Sequence, residues 1–270
     1  MFRQATSRLV RAHFPDFHGN VYLHELQVHI VDRVTEPILD RFVHDGDVTV
    51  DLGCGSGTTV KRLAQRGAIA IGVDVDTGAF DKHPDLSVIE GGLKEMPSQP
   101  GAYLLAADIS QLPLPEDSVD LITSRWVFEH LADPVTVIAQ IRRVLKPGGL
   151  ALIIVPNVRH PGILVSSLMP LRLKRVLLRS SSGIEDDLVM KTYYRANTDR
   201  ALDRLFSVAG FEKLGLAYVQ DPSYWLFSST LFQTAVGIGR ITRKLPLRRF
   251  RMHMVGLYRY DGNDSIDRSG

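Results

Sequence analysis

The chain has 270 residues, of which 44% are hydrophobic, 23% charged and 8% aromatic. This composition excludes a disordered tail, a collagen-like repeat and a heptad rod, and the length favours one α/β domain with insertions. The single cysteine excludes an internal disulfide framework. Because the N-terminus also lacks the apolar core of a secretory signal, we expect a cytoplasmic protein.

The net charge of +2 is unevenly distributed along the chain. Residues 1–150 contain 14 Lys and Arg against 20 Asp and Glu, whereas residues 151–270 contain 18 against 10. A basic C-terminal half can meet an anionic partner, although a solvated surface accounts for the same pattern. No apolar run approaches the roughly 20 residues that span a bilayer.

In chain order, residues 1–44 are predicted to form a helical N-terminal cap, because apolar residues recur there at helical spacing. Apolar strands then alternate with helices from about residue 47 to 157, which predicts a doubly wound, mostly parallel sheet of the Rossmann-like type. Residues 158–194 break this rhythm and are predicted to form an inserted helical lid. The seven predicted strands are residues 47–53, 68–74, 102–108, 119–124, 150–157, 211–219 and 253–260.

The most informative motif is a glycine-rich turn between the first strand and the first helix of this sheet. Gly53, Gly55 and Gly57 occupy alternate positions, which permits a tight turn and lets a ligand lie against the backbone. The dinucleotide fingerprint has the spacing G-x-G-x-x-G, whereas this chain has G-x-G-x-G. The departure argues against a dinucleotide ligand.

Acidic residues follow the next strands. Asp74 ends the second predicted strand, where a carboxylate can accept both hydroxyls of a ribose. Asp108 ends the third, beside the backbone N–H of Ile109, and this pair matches the edge of an adenine. Each aspartate could instead be a helix cap or a turn former. With Asp51 on the first strand, we expect all three along the crevice outside the carboxyl ends of the strands.

At these residues the sequence resembles the class I S-adenosylmethionine (SAM)-dependent methyltransferases. The matching segments are VDLGCGSGT, IGVDVD, AADISQLPLPEDSVDLITSRWVFEHLADP and IRRVLKPGGLALIIVPN. The last two are similar to the subgroup that includes the quinone-biosynthesis and small-molecule enzymes. The resemblance implies a methyltransferase domain over residues 45–270 that uses SAM as cofactor and needs no metal.

The resemblance also implies roles for individual residues. Asp51 would lie near the amino group of SAM, and Arg125 near its carboxylate. Asp74 would bind the ribose, Val75 would pack on the adenine, and Asp108 with Ile109 would bind the adenine edge. The turn around the methionine and the ribose would be formed by Gly53, Cys54, Gly55 and Gly57, in which Cys54 is a small loop residue and not a nucleophile.

The residue types near the fourth strand offer a candidate general base. His130 follows that strand closely, and a histidine side chain is chemically suited to deprotonating a hydroxyl. The alternative is that His130 makes a hydrogen bond that shapes the loop. Glu129, Tyr193 and Tyr194 are weaker candidates. An enzyme of this kind needs the acceptor held in line with the methyl group and water excluded.

The acceptor class is open at this stage. Residues 158–179 and 224–251 combine leucines and aromatic residues with arginines. This pattern suggests a small-molecule or a lipid- or glycan-linked acceptor and peripheral contact with an anionic membrane, although burial of these apolar faces within the domain explains it as well. A nucleic-acid acceptor is not expected, since the fourth strand leads into Ser124, Arg125 and Trp126 without an Asn/Asp-Pro-Pro-aromatic motif. Two alternatives are an NAD(P)-dependent oxidoreductase and a SAM-binding protein without turnover.

Overall fold

The structure, a computed structural model, describes residues 2–18, 23–82, 86–89, 91–168, 190–226, 228–243 and 246–262. The chain divides into two compact units. One, here called the sheet unit, comprises residues 38–155, 193–216 and 255–270. The other, here called the helical unit, comprises residues 1–37, 156–192 and 217–254.

The helices and strands follow the alternation predicted from the sequence. They are α1 (Phe2–His13), α2 (Leu23–Phe42), β1 (Val48–Leu52), α3 (Thr58–Ala64), β2 (Ile69–Asp74), β3 (Ser87–Ile89), β4 (Gly101–Ala106), β5 (Val119–Arg125), α4 (Pro134–Val144), β6 (Leu145–Pro156), α5 (Pro161–Leu168), α6 (Asp199–Val208), β7 (Phe211–Val219), α7 (Ser229–Ile241) and β8 (His253–Tyr260). Short 3-10 turns lie between several of them. No helix in the described part of the chain is both long and apolar enough to cross a membrane.

The strands form one sheet in the order β3-β4-β2-β1-β5-β6-β8-β7. The pairs β1–β2, β1–β5, β2–β4, β3–β4 and β5–β6 are parallel. This confirms the doubly wound, mostly parallel fold, but the sheet formed by the described residues has eight strands and not the predicted seven. The additional strand, β3, has only three residues and little burial, so it carries no hydrophobic periodicity that sequence analysis can detect.

Local sequence explains the elements around the centre of the sheet. All five residues of β1 are buried, as a strand covered on both faces requires. Helix α4 begins at Pro134, and Asp133 caps it by accepting hydrogen bonds from the backbone N–H groups of Val135 (3.1 Å) and Thr136 (3.4 Å). Proline at the first position and a carboxylate cap are both favoured at a helix start.

Buried polar side chains organise the helical unit. The side-chain amide of Asn157 donates to the backbone carbonyls of Arg249 and Arg251, both at 2.8 Å. His253 Nε2 and Asp221 Oδ2 lie 3.0 Å apart, and both side chains are fully buried. Burial, followed by the neighbouring His253, lowers the pKa of His160 to about 4, so this histidine is neutral at physiological pH.

Candidate functional site

The glycine-rich turn between β1 and α3 has the backbone that its sequence predicts. Gly53, Gly55 and Gly57 have φ angles of +68°, +50° and +81°, a region that side-chain-bearing residues rarely occupy. The N–H groups of Gly53 and Cys54 both donate to the carbonyl of Val73 (2.8 and 3.2 Å). The turn is therefore tied to the end of β2.

The three glycines differ in what surrounds them. A Cβ atom on Gly53 would lie 2.3 Å from Val127 Cγ2, and one on Gly57 would lie 2.7 Å from Leu86 Cδ1. A Cβ atom on Gly55 would meet nothing within 4 Å. Gly53 and Gly57 are thus required by packing as well as by conformation, whereas Gly55 presents its backbone to open space in which a ligand can lie.

Asp74 at the end of β2 is directly connected to this turn. The N–H of Gly55 donates to its Oδ2 at 2.8 Å, and the N–H of Asp76 donates to its Oδ1 at 2.9 Å. An ionised carboxylate has about four lone-pair sites, so each oxygen can accept one more hydrogen bond. The next residue, Val75, is 68% exposed and offers an uncovered apolar surface beside that carboxylate.

Asp108 follows β4, the strand that pairs with β2. It is exposed and caps the 3-10 turn Ile109–Gln111 by accepting a hydrogen bond from the N–H of Ser110 at 2.8 Å. Asp108 therefore has the capping role that the sequence allowed for it. The hydrogen bond from Ser110 uses the Oδ1 atom of Asp108. The backbone N–H of Ile109 has no acceptor within the turn, because Ile109 is the first residue of the turn.

Asp51 lies within β1 rather than at its end, and only 3% of its surface is exposed. Thr123 on β5 donates to its Oδ1 at 2.6 Å. Burial raises the pKa of Asp51 to about 6, against the hydrogen bond from Thr123 and the positive charge of Arg125. The carboxyl group is thus ionised at neutral pH, and keeping this charge buried costs free energy. A nearby cation would reduce that cost.

Cys54 is a poor nucleophile in this environment. Its side chain is buried, and burial, together with the negative charges of Asp51 and Asp74, raises the pKa of its thiol well above the ordinary value. Since the thiolate is the reactive form, these features agree with the role of a small loop residue.

The end of β5 carries a second unusual backbone feature. Trp126 has a φ of +57°, which is strained for an aromatic residue, and its N–H donates to Ile154 on β6 at 2.9 Å. The guanidinium of Arg125 lies 5.7 Å from the centre of the Trp126 ring. The following residue is Val127, which packs against Gly53, so this segment is part of the wall of the glycine turn.

His130 closes the short 3-10 turn Phe128–His130 after β5. Its N–H donates to Val127 at 2.8 Å. The turn is anchored by Phe128, which is fully buried and stacks on Phe206 of α6. Phe206 in turn stacks on Tyr258 of β8, with ring centres 4.3 Å apart. This aromatic stack was not predicted, because no sequence spacing relates residues from three distant segments.

Glu129 and the two tyrosines meet through the backbone. The carbonyl of Glu129 accepts hydrogen bonds from the N–H groups of Tyr193 (2.7 Å) and Tyr194 (3.2 Å). The Glu129 side chain is buried. The 193–194 segment is therefore held beside the turn that carries His130. Among the described residues, no cluster of His, Cys, Asp and Glu could hold a metal ion.

Comparisons with known proteins identify the family. The family described as "Methyltransferase domain" matches residues 50–153. Ubiquinone biosynthesis O-methyltransferase of Methylococcus capsulatus is 30% identical over 173 residues, which are 63% of this chain and 67% of that protein. Dimethylglycine N-methyltransferase of Parasynechococcus marenigrum is 31% identical over 121 residues, which are 44% of this chain and 41% of that protein.

Solved structures show the same fold. A SAM-dependent methyltransferase from Mesorhizobium loti has a TM-score of 0.52 with 17% identity, over 83% of this chain and 96% of that one.

Four other curated relatives are matched over only 28% to 45% of their own length. The chain belongs to the class I SAM-dependent methyltransferases, and the NAD(P) alternative is not favoured.

The residues present fit the cofactor of this family. Gly55 faces open space, and the Asp74 carboxylate retains acceptor capacity next to the exposed Val75. The hydroxyl of Ser124, which is fully buried and lies opposite Leu52 in the β1–β5 pair, has no hydrogen-bond partner among the described residues. A buried hydroxyl without a partner costs free energy, and a polar ligand against the turn is one means of satisfying it.

Proposed function

We propose that this chain transfers the methyl group of SAM to a small-molecule acceptor. The observation that carries the proposal is the left-handed glycine turn whose Gly55 N–H donates to Asp74, in a chain of this family. When bound, SAM supplies a methyl group already activated by a positively charged sulfur. The protein's own part is to bind, orient and exclude water.

The site residues divide this work. Asp74 accepts the ribose hydroxyls, Val75 covers one face of the adenine, and Asp108 and the N–H of Ile109 bind its edge. The buried Asp51 carboxylate attracts the amino group, and Arg125 attracts the carboxylate. The cofactor lies along the backbone of the turn formed by Gly53, Cys54, Gly55 and Gly57.

Calorimetric titration tests the cofactor assignment. We expect SAM to bind and NAD to give no heat. Asp74→Ala removes two hydrogen bonds and is expected to weaken SAM binding by about 1–3 kcal/mol. Asp76→Ala, which removes an exposed carboxylate two residues along, is the matched control and should leave the affinity unchanged. Equal affinity of the Asp74 variant would remove its assigned role.

His130 is proposed to accept the proton of the acceptor at an imidazole nitrogen. Its support is the anchored turn after β5, together with the 193–194 segment fixed beside it. We expect His130→Ala to bind SAM normally and to lose most of its turnover, while Glu129→Gln, in which the backbone carbonyl remains, retains turnover. Normal turnover of the His130 variant would show that no base is used there.

The relatives named for ubiquinone biosynthesis and for dimethylglycine support a small-molecule acceptor. Incubation of cell extract with methyl-labelled SAM and the purified protein, followed by separation of the labelled product, identifies it. The His130 and Asp74 variants serve as controls that distinguish enzymatic transfer from spontaneous methylation. A product labelled equally without the protein would refute the assignment.

A lipid-linked acceptor with peripheral membrane contact is the finer proposal. Within the helical unit, Ile238 and Ile241 on α7 and Phe250 beyond it are exposed, beside the exposed arginines 240, 243, 248 and 249. Apolar and basic groups together favour an anionic membrane surface. The leucine- and arginine-rich residues 169–179 lie outside the described part of the chain. Flotation with anionic liposomes tests the contact, and absence of salt-sensitive binding would exclude it.

A further inference from the structure

The helical unit contains a cavity that the methyl-transfer proposal does not use. Its volume is about 350 Å³, which lies within the range of small-molecule sites. Its walls come from the end of α1, the middle of α2, the last residues of β7, helix α7 and the segment that precedes β8. Five separate segments of chain thus converge on one concavity.

The charges around this cavity are one-sided. Arg33, Arg240, Arg243 and Arg251 all line it, and we call the cavity the arginine pocket. None of the described residues that line it is Asp or Glu. Guanidinium groups stay protonated in proteins, so the pocket gathers positive charge without an internal counter-charge.

One of the four arginines is held rigidly at the wall. Arg251 donates from Nη1 to the carbonyl of Tyr218 (3.1 Å) and from Nη2 to that of Gly239 (3.2 Å). Its own carbonyl accepts the hydrogen bond from Asn157. Burial and the charge of Arg243 lower the pKa of Arg251, as expected where cations crowd together. The Nε–H of Arg251 is buried without an acceptor among the described residues.

In the described part of the chain, acidic residues outside the pocket neutralise little of this positive charge. Asp16 lies 3.7 Å from Arg33, shares its charge with His29 at 3.4 Å and is half exposed. Ion pairs in such exposed positions contribute little. Arg240 and Arg243 are exposed near the end of α7, where the partial negative charge of the helix terminus offsets only part of their charge.

Apart from the arginines, the lining of the pocket is mixed. Phe14, Ile30, Val34 and Val236 supply an apolar part, and His13 and Gln220 are polar. A ligand matched to both surfaces therefore carries a multiply charged anionic group and an apolar portion. Arginine is suited to phosphate because its planar fork of donors matches the phosphate oxygens.

We propose that the arginine pocket binds the phosphate or pyrophosphate group of an organic ligand whose apolar part packs against Phe14 and Val236. The pocket is a binding site in its own right, so its test does not require methyl transfer. The phosphate group can belong to a free metabolite or to a lipid headgroup, because the four arginines recognise the same chemistry in both.

Isothermal calorimetry with inorganic pyrophosphate tests the site directly. We expect binding that weakens at least tenfold in each of Arg240→Gln and Arg243→Gln, since each loses a charge-assisted contact. Arg248→Gln removes the same charge from an exposed residue that does not line the pocket, and it should change the affinity less than twofold. Circular dichroism shows that the variants remain folded.

Competition distinguishes the two sources of phosphate. Vesicles of phosphatidylcholine with phosphatidic acid, which presents a phosphate monoester, are compared with vesicles of phosphatidylcholine alone. Binding to the former that pyrophosphate displaces supports a lipid headgroup, whereas pyrophosphate binding without vesicle binding supports a free phosphorylated ligand. Absence of pyrophosphate binding at millimolar concentration, or equal loss in the Arg248 variant, overturns the proposal.

Discussion

Replacing the buried Asp51 with asparagine should make the protein more stable at neutral pH while it weakens cofactor binding. The folded-state pKa of Asp51 is raised from 3.8 to about 6. Between these two values the folded chain binds a proton that the unfolded chain releases, so the wild type loses stability as the pH rises through this interval. Asparagine has no such charge and avoids that loss.

The magnitude follows from the size of the shift. A displacement of about two pKa units corresponds to about 3 kcal/mol at pH 7, because each unit is worth about 1.4 kcal/mol. Below pH 3.8 both states are protonated and the difference vanishes. The hydrogen bond from Thr123 to Oδ1 is retained by the amide oxygen of asparagine, so the variant keeps that contact.

Urea denaturation of the wild type and Asp51→Asn at pH 4, 5, 6 and 7 measures the effect. We expect the variant's advantage to rise from near zero at pH 4 to about 3 kcal/mol at pH 7. Asp76→Asn, which alters an exposed carboxylate, should show no such trend. The measured quantity is the stability of Asp51→Asn minus that of the wild type. If this difference is smaller at pH 7 than at pH 4, the charge-burial argument is refuted.

Three further substitutions test local features. Gly53→Ala should destabilise the protein by about 2 kcal/mol or more through its positive φ and the contact with Val127, and adding Val127→Ala should restore part of this loss in thermal denaturation. Thr198→Ala removes the N-cap of α6, because the Thr198 hydroxyl accepts a hydrogen bond from the N–H of Ala201 at 3.1 Å. It should cost about 1 kcal/mol, while Thr198→Ser costs little. Asn157→Ala deprives two partly buried carbonyls of their donor and should cost about 2 kcal/mol in urea denaturation. An unchanged midpoint in any of these would contradict the corresponding contact.

The central part of the sheet was predictable because the features that define it lie close together in the sequence. Apolar strands, the glycine turn and the aspartates after successive strands all lie in one continuous stretch, and parallel pairing brings their carboxyl ends to one edge. The tight turn at Gly53, Gly55 and Gly57 was predicted for the same reason, and their positive φ angles are ones that only glycine adopts freely.

Features that depend on distant residues were not predictable. The stack of Phe128, Phe206 and Tyr258 joins three segments, and the arginine pocket joins five. Burial also changes the pKa of a side chain, and the sequence does not show which side chains are buried. Nothing in the sequence distinguishes Asp51 from another aspartate on a strand, but in the structure it is only 3% exposed, which explains its raised pKa. The three-residue strand β3 was missed because so short an element has no period.

The neutral His160 affects how this protein tolerates acid. Below pH 6.5 an unfolded chain protonates this residue, whereas the folded chain does not until about pH 4, so acidification favours unfolding at this position. Asp51 acts in the opposite direction over nearly the same interval. If the chain unfolds cooperatively, the effects of His160 and Asp51 on stability nearly cancel between pH 4 and 6. A wild-type melting temperature that is almost constant over this range would then conceal two opposing changes in proton binding.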